Sequence, residues 1–224
     1  MERSGIERVL LDIETQRDFF CPGGSCFNPR ALKALKCVYM LFDWARREHI
    51  PVLSTVLRVR RHQIGPLAPV AHCLDDTWGE EKIPRTALPH RINLGLLNST
   101  DLPGDLLTHY RQVIIEKRQT DLFAHARAER LITELPRTTF VVCGAGLAKS
   151  ISQAAIGLRT RGFGVIVAED AVLDLGDPAA PMARSRMEAK GVVFAPTREL
   201  LAPRPRRPLV ALRATEILQQ AEVE

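Results

Sequence analysis

The chain has 224 residues, 46% of them apolar, enough to bury one core of ordinary size without disulfides or metal. Its five cysteines, an odd number scattered along the sequence, exclude a disulfide framework and point to a reducing compartment, the cytoplasm; no N-terminal apolar leader or long apolar run signals export or membrane insertion. A formal charge of +5 would suit an anionic partner but is common in proteins that bind none, so it assigns no partner by itself.

The first predicted element is residues 8–14 (RVLLDIE), a short apolar run of the kind that becomes a strand buried on both faces. A loop with Pro22, Gly23 and Gly24 follows. Asn28 then offers an N-cap and Pro29 a first helical position, and Leu32, Leu35, Val38, Leu41 and Phe42 carry a helical stripe to about His49. Pro51 ends that helix, and Val52–Leu57 reads as the second strand. Over residues 58–111 the pattern weakens, with Pro66, Pro69, Pro84, Pro89 and Pro103 breaking it, which predicts loops and short helices rather than a separate domain.

Regular alternation resumes with a strand at 112–116, a helix at 126–135, a strand at 138–143 and a helix at 147–161. A strand at 163–168, a helix at 182–190 and a last strand at 191–194 complete the pattern. Six strands separated by helices predict a three-layer α/β/α domain with a mostly parallel six-stranded sheet, because each parallel return needs a crossover. In such sheets the site lies at the carboxyl ends of the strands. Glu14, Lys117 and the loop 144–149 each close or follow a predicted strand, so they are expected at one edge. This domain is bounded at 6–201. Residues 202–224 begin APRPRRP, a stiff charged linker, and continue with Val210, Ala214, Ile217, Leu218 and Ala221 at helical spacing, a helix expected to dock on the domain or on a second subunit.

Asp12 and Glu14 share a strand face by the two-residue period. Close together in a dry site they would repel and one would become a proton donor; the alternative is that they bond loop amides at the strand's end. Gly144, Ala145 and Gly146 turn tightly toward a helix whose first turn holds Ser150. Unpaired N–H groups at a helix start bind an oxyanion and lower a thiol's pKa. A serine there needs a neighbouring base, and no motif places one of the six histidines beside Ser150, so a capping or packing serine is an equal reading. Cys143 precedes the glycine turn and reads as a buried core thiol.

The segments LLDIETQRDFF, IEKRQTDLF, VVCGAGLAKSI and RGFGVIVAEDA together resemble the isochorismatase-like cysteine hydrolases, which include nicotinamidases, N-carbamoylsarcosine amidases and isochorismatases. The resemblance covers roughly residues 6–201 and is strongest over 9–20 and 113–171. It implies an isochorismatase-like fold and an active site built from an aspartate, a lysine and a cysteine, whose positions here carry Glu14, Lys117 and Ser150. Gln16, Asp18 and Phe19 match the rest of the first motif, and Gly144, Ala145 and Gly146 fall at the substrate-binding turn. Glu14 adds a methylene to the acid, and Ser150 removes the thiol, so thiol-dependent amide hydrolysis is not expected. The isochorismatases proper need the acid and no cysteine, which leaves protonation of a small anionic enol ether by Glu14 as the enzymatic alternative.

The resemblance also implies a metal loop after the second strand in nicotinamidases, where this chain reads TVLRVRRHQ. Leu57 and Arg58 stand where ligands would be wanted, and only His62, His72 and Cys73 remain as donors, so no metal and no other cofactor are expected. HCLDDTWGEE resembles the family's HC-x-x-x-T-x-G stretch, and Cys21 and Cys26 lack the second pair a zinc site would need. Basic clusters at Arg58, Arg60 and Arg61 and at Arg204, Arg206 and Arg207 lack interleaved aromatics and read as solvated faces; the first would suit an anionic small molecule. The expected partners are a small-molecule ligand and further copies of the chain, with neither a membrane nor nucleic acid.

Overall fold

In the computed structural model, residues 6–62, 72–135 and 137–202 are described. The expected linker and helix beyond residue 202 lie outside them, as do Pro66 and Pro69. Among the described residues one sheet holds seven strands: β1 (Arg8–Ile13), β2 (Val52–Leu57), β3 (Arg91–Asn93), β4 (Gln112–Lys117), β5 (Thr139–Ala145), β6 (Gly164–Leu173) and β7 (Val193–Ala195). Every pairing is parallel, and the order is β3-β4-β2-β1-β5-β6-β7. The helices are α1 (Arg17–Phe20), α2 (Arg30–Arg47), α3 (Leu106–His109), α4 (Ala126–Thr133), α5 (Ser152–Thr160), α6 (Ala180–Ala189) and α7 (Thr197–Leu201).

The expected α/β class and three-layer arrangement are present, with one strand more than the six read from the pattern. The added strand is β3, three residues of which the outer two are exposed, at the sheet's edge inside the stretch read as loops. It carries no apolar run, so the pattern that reveals buried strands cannot reveal it.

Alternation along the strands sorts the core onto two faces. Leu10, Val52, Val141 and Ala168 pack with Ala31, Val38, Leu41 and Phe42 of α2 on one side. Val9, Leu11, Leu53, Val113, Phe140 and Val142 pack with Leu131 and Ile132 of α4, Ala154 and Leu158 of α5, and Met187 of α6 on the other. The start of α2 is set by Asn28, whose carboxamide oxygen accepts from the Arg30 N–H at 3.0 Å.

This division of helices fixes the position of the site. After β1 the chain leaves through α2 on one face; after β5, the strand beside it, the chain leaves through α5 on the other. Neighbouring strands whose connections depart to opposite faces leave a crevice outside their carboxyl ends. Glu14 follows β1 and Ser150 follows β5, so the topology brings both to that crevice.

Gly144 makes the approach of β5 to β1 possible. It pairs with Ile13, has φ of 122°, and sits where the register to β6 shifts. A Cβ at this position would enter the Ile13 carbonyl oxygen, so both the backbone angle and the space require glycine. Gly144→Ala should therefore lower the unfolding free energy by about 3 kcal/mol or more. Urea denaturation of the two proteins measures it; a loss below about 1 kcal/mol would mean that β5 can move away from β1 at little cost.

Candidate functional site at the carboxyl edge of the sheet

Glu14 ends β1 in a left-handed conformation, φ 54°, with its N–H donating to Thr55 O at 3.1 Å. Such a φ is uncommon for a residue with a side chain and holds only where the surroundings enforce it. Glu14 Oε1 accepts from Lys117 Nζ, and both side chains are 2% exposed. Lys117 closes β4, one strand beyond β2, and its ammonium also donates to the carbonyls of Gln119 at 2.9 Å and Thr120 at 3.0 Å. All three ammonium protons are thus used, which is what a buried ion pair requires to repay its lost hydration.

The rest of the first motif is structural. Gln16 is fully buried; its Nε2 donates to Leu57 O and Glu80 O, and its Oε1 accepts from Leu57 N, each at 2.8 Å. Asp18 accepts from Ser25 N at 3.0 Å and from Cys73 N at 2.6 Å, and Phe19 packs against the His72 ring at 5.0 Å. These side chains tie the loop after β1 to the end of β2 and to the 72–82 segment. Asp12 and Glu14 do not pair with each other; each meets a lysine of its own. Asp12 is fully buried and takes its own cation, Lys82, together with the hydroxyls of Ser54 at 2.7 Å and Thr15 at 3.2 Å. Lys82 stands 70 positions from Asp12, and no local signal in the sequence marks it.

Ser150 is 2% exposed and lies in a widened turn, Leu147–Ile151, that precedes α5. Gly146 opens the turn at φ 83°, and its carbonyl accepts from Ile151 N at 3.1 Å, a bond reaching five residues rather than four. A Cβ on Gly146 would stand 3.6 Å from Ser150 Oγ, so the glycine faces the hydroxyl. Among the described residues Ser150 Oγ makes no hydrogen bond. Cys143 is fully buried, and burial pushes its thiol well above the usual range, as a core cysteine requires.

Two histidines feel the charges of the ion pair. Burial lowers the pKa of His72 below 6.5; the negative charges of Glu14 and Asp18 oppose this and Lys149 adds to it. The ring therefore stands within electrostatic reach of the Glu14 carboxylate and of the residue preceding Ser150. Burial also lowers His125, aided by the positive charges of Arg127 and Lys117. No sequence motif marks His125.

An isochorismatase domain model matches residues 99–199. Among solved structures, N-carbamoylsarcosine amidase from Thermoplasma acidophilum is 17% identical with a TM-score of 0.63, covering 85% of this chain and 96% of its own. Nicotinamidase from Bacillus subtilis is 17% identical with a TM-score of 0.61, over 84% and 99%. An isochorismatase-like hydrolase from Alkaliphilus metalliredigens is 16% identical with a TM-score of 0.67, over 87% and 97%. The fold is isochorismatase-like. A search of curated proteins finds no match.

Within this isochorismatase-like fold the place of the nicotinamidase metal loop does not fit a cation. Arg58 occupies it, donating twice to Glu116 at 3.1 and 3.0 Å and standing 2.5 Å from Glu80 Oε2. Its charge is thereby spent inside the protein, leaving Arg58 no free fork for an anionic ligand either. Among the described residues no three His, Cys, Asp or Glu side chains gather as metal donors. No described helix is long and apolar enough to cross a membrane.

Lys117→Met would leave the Glu14 carboxylate buried without its cation and should cost about 3–5 kcal/mol, with a second change, Glu14→Gln, recovering part of it. Urea denaturation of the four proteins of this cycle reads the coupling; additive losses would show that the two side chains do not depend on each other. Because His72 and His125 sit below their ordinary value, the unfolded chain binds more protons than the folded one as pH falls through 6.5. Stability that is full above pH 6.5 should therefore decline toward acid, and the decline should shrink in the double variant His72→Gln/His125→Gln; identical thermal melts of the two proteins between pH 7.5 and pH 5 would contradict it.

Proposed function

We propose that this chain keeps the small-molecule pocket of its superfamily but does not carry out thiol-dependent amide hydrolysis, because Glu14 and Ser150 stand where an aspartate and a cysteine would act. The observation that carries the reading is the state of the three side chains. Ser150 offers a hydroxyl with no hydrogen bond to a base among the described residues, while Glu14 and Lys117 are committed to each other. A serine hydroxyl ionises too weakly to attack an amide without a base holding its proton. The ligand expected in the pocket is a small polar molecule held beside the turn Gly144, Ala145 and Gly146.

A second reading keeps enzymatic activity: Glu14 acts as the acid on a small anionic enol ether or amide, with Lys117 beside it. It is supported by the way Glu14 meets Lys117, through Oε1 alone, which leaves Oε2 without a hydrogen bond among the described residues. This route needs no nucleophile on Ser150.

The same reading takes residues 6–201 as the ligand-binding domain, 202–224 as a separate linker and helix, and the reducing cytoplasm, where its free cysteines persist, as its location. A homo-oligomer is favoured by Met182 of α6 and Val193 of β7, apolar side chains exposed by 59% and 55%. The basic side chains that are paired internally, Arg58 above all, argue against nucleic acid as the partner.

The test is Ser150→Cys. The unaltered protein should show no turnover of nicotinamide or N-carbamoylsarcosine. The introduced thiol beside Lys117 should be alkylated at pH 7 about tenfold faster than free cysteine, and amide hydrolysis should appear, more so with Glu14→Asp. Turnover of either amide by the unaltered chain, lost in Ser150→Ala, would sink the reading. Cleavage of isochorismate that survives Ser150→Ala and is lost in Glu14→Gln would establish the acid route in its place.

A further inference from the structure

A second cavity lies away from the crevice, between α5 and α6. Its volume is about 490 Å³, and it is lined by the start of α5, by α6 and by residues of the 121–123 loop. None of Glu14, Lys117, Ser150 or the turn Gly144, Ala145 and Gly146 lines it. The widened turn separates the two. Ala148 and Ser152 border the cleft from positions two before and two after Ser150, and residues two apart in a helical turn point to opposite sides. Ser150 faces Gly146, whereas its neighbours face the cleft.

The walls of the cleft are fixed by packing. Phe123 lies against the backbone of Gly157, where a Cβ would come within 2.3 Å of the ring, so the glycine makes room for an aromatic wall. Arg161 covers the same ring at 3.7 Å, donates to Gly157 O at 2.9 Å and pairs with Glu129, which spends its charge inside the protein. Ile156, Ala183 and Met182 extend the apolar lining. Against it stand polar groups that the fold does not use. Ser152 is 7% exposed, and its hydroxyl makes no hydrogen bond among the described residues. The Arg186 guanidinium likewise has neither a carboxylate nor a carbonyl partner among them. Polar groups on buried residues are nearly always hydrogen-bonded, and here one lines a cavity without a partner.

Apolar walls with a few polar groups, in a volume of this order, are what a small organic ligand needs. We propose that the cleft between α5 and α6 is a second binding site, for a small organic monocarboxylate whose carboxylate meets the Arg186 fork and the Ser152 hydroxyl and whose apolar body lies against Phe123, Ile156 and Met182. Charge selects the class. With Arg161 paired to Glu129, Arg186 is the cation of the lining left to the ligand, and a planar guanidinium meets a carboxylate through two parallel hydrogen bonds. Asp121, the carboxylate of the lining, accepts from Phe123 N at 2.9 Å, and its charge disfavours a doubly negative ligand more than a singly negative one. The site is independent of any chemistry at Ser150.

The experiment uses the full chain with labelled amides, phenylacetate as the probe, phenylacetamide as its neutral counterpart and phenyl phosphate as a doubly charged one. Phenylacetate should shift the amide resonances of Ser152, Gly157 and Ala183 saturably, with a dissociation constant below about 5 mM. Each counterpart should bind at least about fivefold more weakly. Arg186→Gln should weaken phenylacetate binding at least about tenfold, and Arg186→Lys should recover part of it. Gln153→Trp, at an exposed position of α5 that lines the cleft, should block binding with the thermal midpoint unchanged. Shifts centred on Gly144, Ala145 and Gly146 that persist in Arg186→Gln would place the ligand in the crevice and overturn the inference. Equal binding of either counterpart, or no saturable shift up to about 20 mM phenylacetate, would overturn it as well. A solution mass that falls in Gln153→Trp, read by light scattering, would assign the cleft to a second copy of the chain and overturn it too.

Discussion

Removing a carboxylate and an ammonium from water is costly, and the Glu14–Lys117 pair makes that cost bearable only by having every proton of the ammonium met. Three strands take part in this. Glu14 comes from the end of β1, Lys117 from the end of β4, and β2 between them holds Glu14 in place through Thr55 O and Gln16 in place through Leu57. The pair is therefore a consequence of the sheet's register: Ile13 opposite Thr55 and Leu57 opposite Lys117. A register error of one residue would turn one of the two charges toward the wrong face and leave both unpaired.

The second buried pair, Asp12 with Lys82, has a different task. Asp12 lies inside β1 among Ser54, Thr15 and Cys143, below the crevice, and its lysine enters from the loop that Gln16 and Asp18 also grip. One ion pair thus fastens the 72–82 segment to the sheet while the other occupies the crevice itself. Of two carboxylates two residues apart on a single strand, the inner one thus anchors a loop and the outer one ties the strand's end to β4.

Much of this was legible in the sequence because it follows from burial. β2 appears at the residues where its apolar run lies, and α2 begins where Asn28 and Pro29 place it. The convergence of β1 and β5 on one edge followed from alternation alone. What could not be read depends on contacts distant in sequence. β3 is held by pairing with β4 and carries no apolar pattern, the partner of Asp12 lies in a loop without periodicity, and the isolation of His125 is visible only once its neighbours are known. The widened turn at Leu147–Ile151 was also hidden, since its side chains continue the helical pattern of α5 and only the hydrogen bonds differ.

That turn makes the direction of Ser150 a matter of counting. A bond spanning five residues inserts one position that a regular helix would not hold, and each position in a regular helix rotates the side chain by about 100°. The aim of Ser150 is therefore separable from the packing of α5, whose Ala154, Ala155 and Leu158 seat against the sheet whatever precedes them. Loss of one residue before Ser150 could be absorbed by closing the turn to an ordinary one, leaving the core intact while swinging the hydroxyl out of the crevice. Length change at 147–149 would therefore move the Ser150 hydroxyl while leaving the packing of α5 as it is.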